Sequence, residues 1–298
     1  MSTQAQPNPF AARSGRARRR KLIGHLMEGL ATAAAILAVI VLAIVVGSVA
    51  KKGLPAINLD FFTQNAAPFG QSGGGIANAI VGTLIVLAIA TVMAVPVGLL
   101  LAIFNTEFAP ARLANAIRLT LNVLAGVPTI VIGVFIFSIV VVGRGQSAYA
   151  ASLGLAIVML PLIARATEEV LLLVPSSLRE GSLALGASRA RTVLTVILPT
   201  ALGGMVTATI VAVARAAGET APLLFTCSIF VSTTIQTDPR QSLATLPIVI
   251  FTSAESPSPH DQQIAWASAL VLISLVLVGS ILGRVLSLRT RRQIEQAR

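Results

Sequence analysis

Residues Ile76–Phe104 read IANAIVGTLIVLAIATVMAVPVGLLLAIF, a stretch without one charged side chain. A helical crossing of the bilayer's hydrocarbon core takes about 20 apolar residues, so this segment is long enough to span a membrane. Outward from it, further charge-free runs cover Gly29–Ala50, Leu119–Gly143, Gly145–Ala164, Thr192–Ala214 and Gln262–Gly283. Two of these continue apolar beyond a single arginine, Arg165 and Arg215. The pattern predicts six spans, at 29–50, 76–104, 119–142, 151–174, 195–227 and 263–284. With 55% apolar and 11% charged residues and a mean hydropathy of +0.87, a soluble domain is excluded. Backbone polar groups inside a bilayer must pair within their own segment, which makes the expected fold an all-α integral membrane protein.

The net charge of +11 is explained by its distribution rather than by nucleic acid. Of the 22 Lys and Arg, Lys51, Lys52, Arg144 and Arg240 fall on one side, and Arg165 and Arg215 lie within spans. All the others fall in the two tails and the loops of the opposite side. The positive-inside rule then predicts cytoplasmic N and C termini. Ser48-Val49-Ala50 looks like a signal-peptidase site, but the preceding apolar run is too long for a signal h-region, so a retained anchor is expected. Cys227 is the single cysteine, which leaves no intramolecular disulfide and no cysteine metal cluster. His25 and His260 lie outside the spans, and no HExxH or Walker A motif occurs. No catalytic residue, metal site or cofactor of its own is therefore expected.

The chain divides into a basic cytoplasmic tail at 1–28, an anchor helix at 29–50, an external segment at 51–75, a transmembrane domain at 76–287 and a tail at 288–298. The first twenty-one residues are polar and basic, punctuated by Pro7 and Pro9, which suits a disordered tail near anionic lipid headgroups. The external segment ends in Gln71-Ser72-Gly73-Gly74-Gly75 and offers little to pack. A second external segment, about 230–261, carries Asp238-Pro239-Arg240 and Ser256-Pro257-Ser258-Pro259-His260. Pro96, Pro128, Pro161 and Pro222 interrupt helical hydrogen bonding inside the spans, and Gly126 and Gly133 suit close helix contact.

An ionisable group at the centre of a membrane helix costs about 2.5–3.5 kcal/mol on insertion scales, so each needs a reason. Arg165 precedes Glu168 and Glu169 at i+3 and i+4, and Arg215 precedes Glu219 at i+4. That spacing puts opposite charges on one helical face, within mutual reach. Such pairs can be static ties between helices. Arg215 lies deep in its span beside Ala216-Ala217-Gly218, where a ligand could approach, and a guanidinium matches two oxygens of an oxyanion. Arg165, Glu168, Arg215 and Glu219 are the candidate translocation-path residues.

Between the fourth and fifth spans stands Glu180-Gly181-Ser182-Leu183-Ala184-Leu185-Gly186, followed by Leu198-Pro199. By itself it could be a short amphipathic helix resting in the interface. The spacing of Glu180, Gly186, Leu198 and Pro199 resembles the EAA loop through which bacterial ABC-transporter permeases receive force from their ATPase. Gly181-Ser182 stands where that family often has two alanines. Arg215-Ala216-Ala217-Gly218-Glu219-Thr220-Ala221-Pro222-Leu223-Leu224-Phe225-Thr226 closely resembles the fifth-span signature of PstA-type phosphate permeases. Ala125-Gly126-Val127-Pro128-Thr129-Ile130-Val131-Ile132-Gly133 resembles their third span, and Arg165–Val170 leading to Val174-Pro175 their fourth. The likeness covers about residues 76–290.

The resemblance implies a six-span type I ABC-importer permease fold, with a cytoplasmic coupling loop at 176–192 and a place in a bacterial inner membrane. It implies work on inorganic phosphate, with an extracytoplasmic phosphate-binding protein outside and a PstC-type permease as heterodimer partner within surrounding lipid. A PstB-type ATPase dimer, carrying the ATP and magnesium, would sit inside. The residues alone leave open a permease for molybdate or sulfate, and a secondary anion transporter or channel.

Overall fold

The computed structural model describes residues 14–67, 73–227 and 234–296, and side chains within 19–67, 73–227 and 234–285. The chain forms two compact units, divided between Lys51 and Lys52. The first is helix α1, which runs Ser14–Gly53 across that boundary. Its 40 residues rise about 60 Å at 1.5 Å each, more than the bilayer core requires. Leu26, Leu37, Ile40, Leu42 and Ile44 are all exposed, as an apolar helix in contact with lipid demands. Residues 14–21, expected in a disordered tail, are thus helical, while residues 1–13 lie outside the described residues.

The second unit opens with a 3-10 turn at Leu54–Ala56 and α2 at Leu59–Thr63, capped by the Asn58 side chain. Here the expectation of a segment with little to pack is overturned. Phe61 is buried against Ile76, Ala79, Leu246 and Ala267, which draws this stretch down onto the helical body. Gln71 and Ser72 lie outside the described residues.

Helix α3 (Ala77–Ile103) passes into a π-helical turn at Phe104–Phe108. Helix α4 (Ala111–Gly126) and α5 (Thr129–Ile136) follow, α5 ending in a second π turn at Phe137–Val141. Helix α6 (Ala148–Leu172) lies at the centre and packs on α3 and α9. Many of its inward positions are small, Ala148, Ala151, Ser152, Gly154, Ala156 and Ala164, interleaved with the larger Leu155, Met159, Ile163 and Leu171. With no water-driven force between helices in lipid, close approach of backbones over such residues supplies the packing. Then come α7 (Ser176–Ala184), α8 (Arg189–Thr192), a π turn at Val193–Ile197, α9 (Leu198–Ala217), α10 (Ala221–Thr226), α11 (Leu246–Glu255) and α12 (Pro259–Gln296).

Among the described residues, five helices are long and apolar enough to cross a membrane, and the count becomes six if α4 and α5 form one span. That third span is not straight. It bends by 93° at Val127-Pro128, because Pro128 drives the preceding residue out of the helical region. The fifth span also differs from a continuous 195–227: α9 stops at Ala217, Gly218 caps it, and α10 starts three residues later at Ala221-Pro222. Helix α11, absent from the sequence expectation of an external connection, is apolar. Its first residues Leu246, Pro247, Ile248 and Val249 are buried, and the Leu246 N–H donates to the Thr83 hydroxyl of α3 at 2.8 Å.

Candidate functional site

Two regions carry the polar chemistry. The first is a cavity of about 290 Å³ at the α4–α5 elbow, closed by α6 and the end of α9. Leu124, Val127, Thr129, Arg165, Glu169 and Arg215 are among its lining residues. Arg165 and Arg215, 50 positions apart in the chain, therefore line one cavity, and Glu169 is the single carboxylate among its lining residues. Both arginines are exposed at the surface of this single chain. The elbow explains the geometry: Pro128 turns the chain away and leaves the end of α4 and the start of α5 as two sides of a recess.

Arg215 Nε lies 3.7 Å from Glu219 Oε1, with the arginine side chain 62% and the glutamate 17% exposed. The expected i,i+4 pair therefore forms, although the helix has ended between its partners. Glu168 behaves differently. It is buried, accepts from Asn105 Nδ2 at 2.8 Å and from Arg118 Nε at 2.6 Å, and is not among the residues lining the cavity. Among the described residues, Arg165 makes no ion pair with Glu168 or Glu169. The i+3 and i+4 spacing allowed those contacts. Arg118 of α4 wins the Glu168 carboxylate because it approaches from a neighbouring helix without competing for the same helical face.

The second region is the segment from α7 to the start of α9. Glu180 and Gly186 are exposed. Gly186 adopts φ +81°, its N–H donates to the Leu183 carbonyl at 2.9 Å, and the Ala187 N–H donates to the Ser182 carbonyl at 3.2 Å. This is the Schellman pattern that ends a helix, with glycine in the left-handed position. No atom lies within 4 Å of where a Gly186 side chain would begin. Leu198 and Pro199 sit beneath, half-buried, Leu198 packed on the cluster of Leu171, Val174, Val193 and Met205. So Glu180 and Gly186 stand on the surface, and Leu198-Pro199 belongs to its footing.

The footing is held by groups that the sequence did not single out. Arg179 donates to Glu107 through Nε at 3.2 Å and Nη2 at 2.9 Å, and to the carbonyls of Val174 and Leu171 at 2.6 and 2.8 Å. Ser182 and Thr192 hydroxyls meet at 2.9 Å. Glu107 and Asn105 gave a weak signal in the sequence, as polar residues closing an otherwise apolar span.

Residues 94–292 match the family model of binding-protein-dependent transport system inner membrane components. The phosphate transport system permease protein PstA of Yersinia pestis is 38% identical over 80% of this chain and 81% of its own length. The chain belongs to the PstA permease family. The probable PstA of Methanocaldococcus jannaschii is 37% identical over 81% of this chain and 85% of its own. PstA 1 of Mycobacterium tuberculosis strain H37Rv is 38% identical over 74% and 73%. Among solved structures, an inward-facing MetNI methionine ABC transporter matches with a TM-score of 0.58 at 23% identity, over 72% of this chain and 97% of that one. A bacterial alginate ABC transporter with its periplasmic protein matches at 0.63 and 12%, over 94% and 98%. At such identities they show the fold, a type I ABC-importer permease in a multi-pass membrane protein.

Proposed function

We propose that this chain is one of two permease subunits lining the membrane path of an ATP-driven phosphate importer. The observation that carries it is the shared, open recess of Arg165, Glu169 and Arg215. Exposed arginines within membrane spans are costly against lipid. A second permease closing over that face would convert an expensive surface into a water-filled, cation-lined half-channel. Guanidinium groups pair with phosphate oxygens in a fork, and charge-assisted bonds of this kind outweigh neutral ones. Glu219 beside Arg215 and Glu169 beside the recess compete for the same cations, so an anion can bind without being trapped.

The PstA relationship supports a PstC-type permease as the second subunit, a PstB-type ATPase dimer on the cytoplasmic side and a phosphate-binding protein on the other. In this assembly ATP and magnesium belong to the ATPase, and hydrolysis is not a task of this chain. Glu180 and Gly186 face the ATPase. The positive-inside pattern supports cytoplasmic termini.

The test is uptake of radiolabelled phosphate by the four-component complex in proteoliposomes. Arg215→Gln alone is ambiguous, because it strands Glu219. Arg215→Gln with Glu219→Gln removes both charges. The double variant should assemble with its ATPase yet import at least about tenfold slower, the lower end for lost charged hydrogen bonds. Import at the wild-type rate would remove Arg215 from the anion path. Competition by sulfate or molybdate in place of phosphate would reassign the substrate.

A further inference from the structure

The π turn at Phe104–Phe108 touches both functional regions. Toward the docking segment, Glu107 Oε1 accepts from both Nε and Nη2 of Arg179 of α7, and the Phe108 ring lies 5.8 Å from the Arg189 guanidinium of α8. Toward the recess, Asn105 donates to Glu168 of α6, which also receives Arg118 of α4. Asn105 and Glu107 are both buried, 3% and 5% exposed, two residues apart and so directed to opposite sides of the turn. The elements they reach carry the recess: α4 ends at Leu124–Gly126, and Glu168 neighbours Glu169 and precedes the C-terminal end of α6.

We infer that Asn105 and Glu107 are positioning residues of transport. Together with Arg179, Arg118 and Glu168 they form a joint that converts displacement of the docking segment into displacement of the α4 and α6 walls of the anion recess. Three physical features favour a joint over a passive brace. Arg179 also donates to the Leu171 carbonyl of α6 and to the Val174 carbonyl just beyond it, so one guanidinium links the π turn, the end of α6 and α7 and cannot follow one without pulling the others. The π turn carries a longer hydrogen-bond ring than the α-helix on its N-terminal side, and such turns recur where helices must adjust. Asn105 Oδ1 is buried with no hydrogen-bond partner among the described residues, so a second arrangement can gain a bond that this one lacks. Packed interfaces with two such arrangements switch rather than flex.

The inference rests on the proposed importer function, and coupling is read from two sites moving together. The experiment therefore uses the full complex in proteoliposomes with spin labels at positions 184 and 124, introduced into a Cys227→Ser background. In the parent complex, ATP with loaded binding protein should change the environment of both labels. In Glu107→Gln the change at 184 should persist while that at 124 disappears. Phosphate imported per ATP hydrolysed should then fall at least about fivefold, the lower range of intersite coupling, with the phosphate KM unchanged. Reversing the pair, Glu107→Arg with Arg179→Glu, should recover part of that ratio. A Glu107→Gln complex whose two labels still move together, with a parental import ratio, overturns the joint. Joint loss of assembly, hydrolysis and both label responses, with no recovery on reversal, assigns the pair to folding and overturns it too. If the parent complex imports a different anion while the labels respond as stated, the substrate reading fails and the joint stands.

Discussion

Gly186 ends α7 in the left-handed region, at φ +81°, and this decides what a side chain there would do. An L-residue pays roughly 1–2 kcal/mol for that conformation, and asparagine less than others. Gly186→Leu should therefore unwind the end of α7, weaken ATPase association or uncouple hydrolysis from uptake, and leave the protein inserted. Gly186→Asn should retain most coupled uptake, as measured in the same proteoliposomes with co-purification of the ATPase. Equal loss in both variants would mean that a partner surface, and not the helix cap, requires the bare glycine. The same residue scale separates Glu168 from Glu169. They are adjacent in sequence, yet one is locked by Arg118 and Asn105 and the other borders the recess. A turn of about 100° per residue puts neighbours on different helix faces.

At the scale of elements, α5 packs against α10, and Gly133 is a point of close approach between them. A Cβ at Gly133 would lie 2.9 Å from Pro222 Cα and 3.1 Å from the Ala221 carbonyl. These are backbone or ring-fixed atoms that cannot swing aside. Gly133→Val should push α5 off α10 and cost about 1–3 kcal/mol, the usual range for overpacking. Gly126, at the other side of the elbow, has nothing within 4 Å of its Cβ position. Gly126→Ala should be silent or slightly stabilising. Thermal unfolding in detergent compares them, and a larger loss in Gly126→Ala would refute this account of the elbow. Both glycines suited close helix contact in the sequence, and only their surroundings separate them. The π turns at 104–108, 137–141 and 193–197 were not legible in the sequence, since no residue pattern distinguishes them from α-helix.

For the whole molecule, the charge asymmetry predicts N-in, C-in topology. In a Cys227→Ser background, a cysteine at position 258 should label from outside, and one at position 184 only after permeabilisation. Position 72 should label from outside as well, although it lies outside the described residues. Reversed labelling would overturn the orientation and, with it, the side on which the ATPase docks.

The sequence by itself determined the number and rough position of the apolar segments, the charge asymmetry and the permease family. Hydropathy and charge are local sums that survive any packing, and the family's motifs are short and contiguous. Tertiary structure alone decided the arginine partners of Glu168 and Glu107, the 93° bend between α4 and α5 and the burial of Phe61. It also brought Arg165 and Arg215 to one recess. An i+3 or i+4 spacing says which charges could meet on a helix, but a buried carboxylate takes the partner that satisfies it best. For Glu168 that partner lies 50 residues away, on another helix.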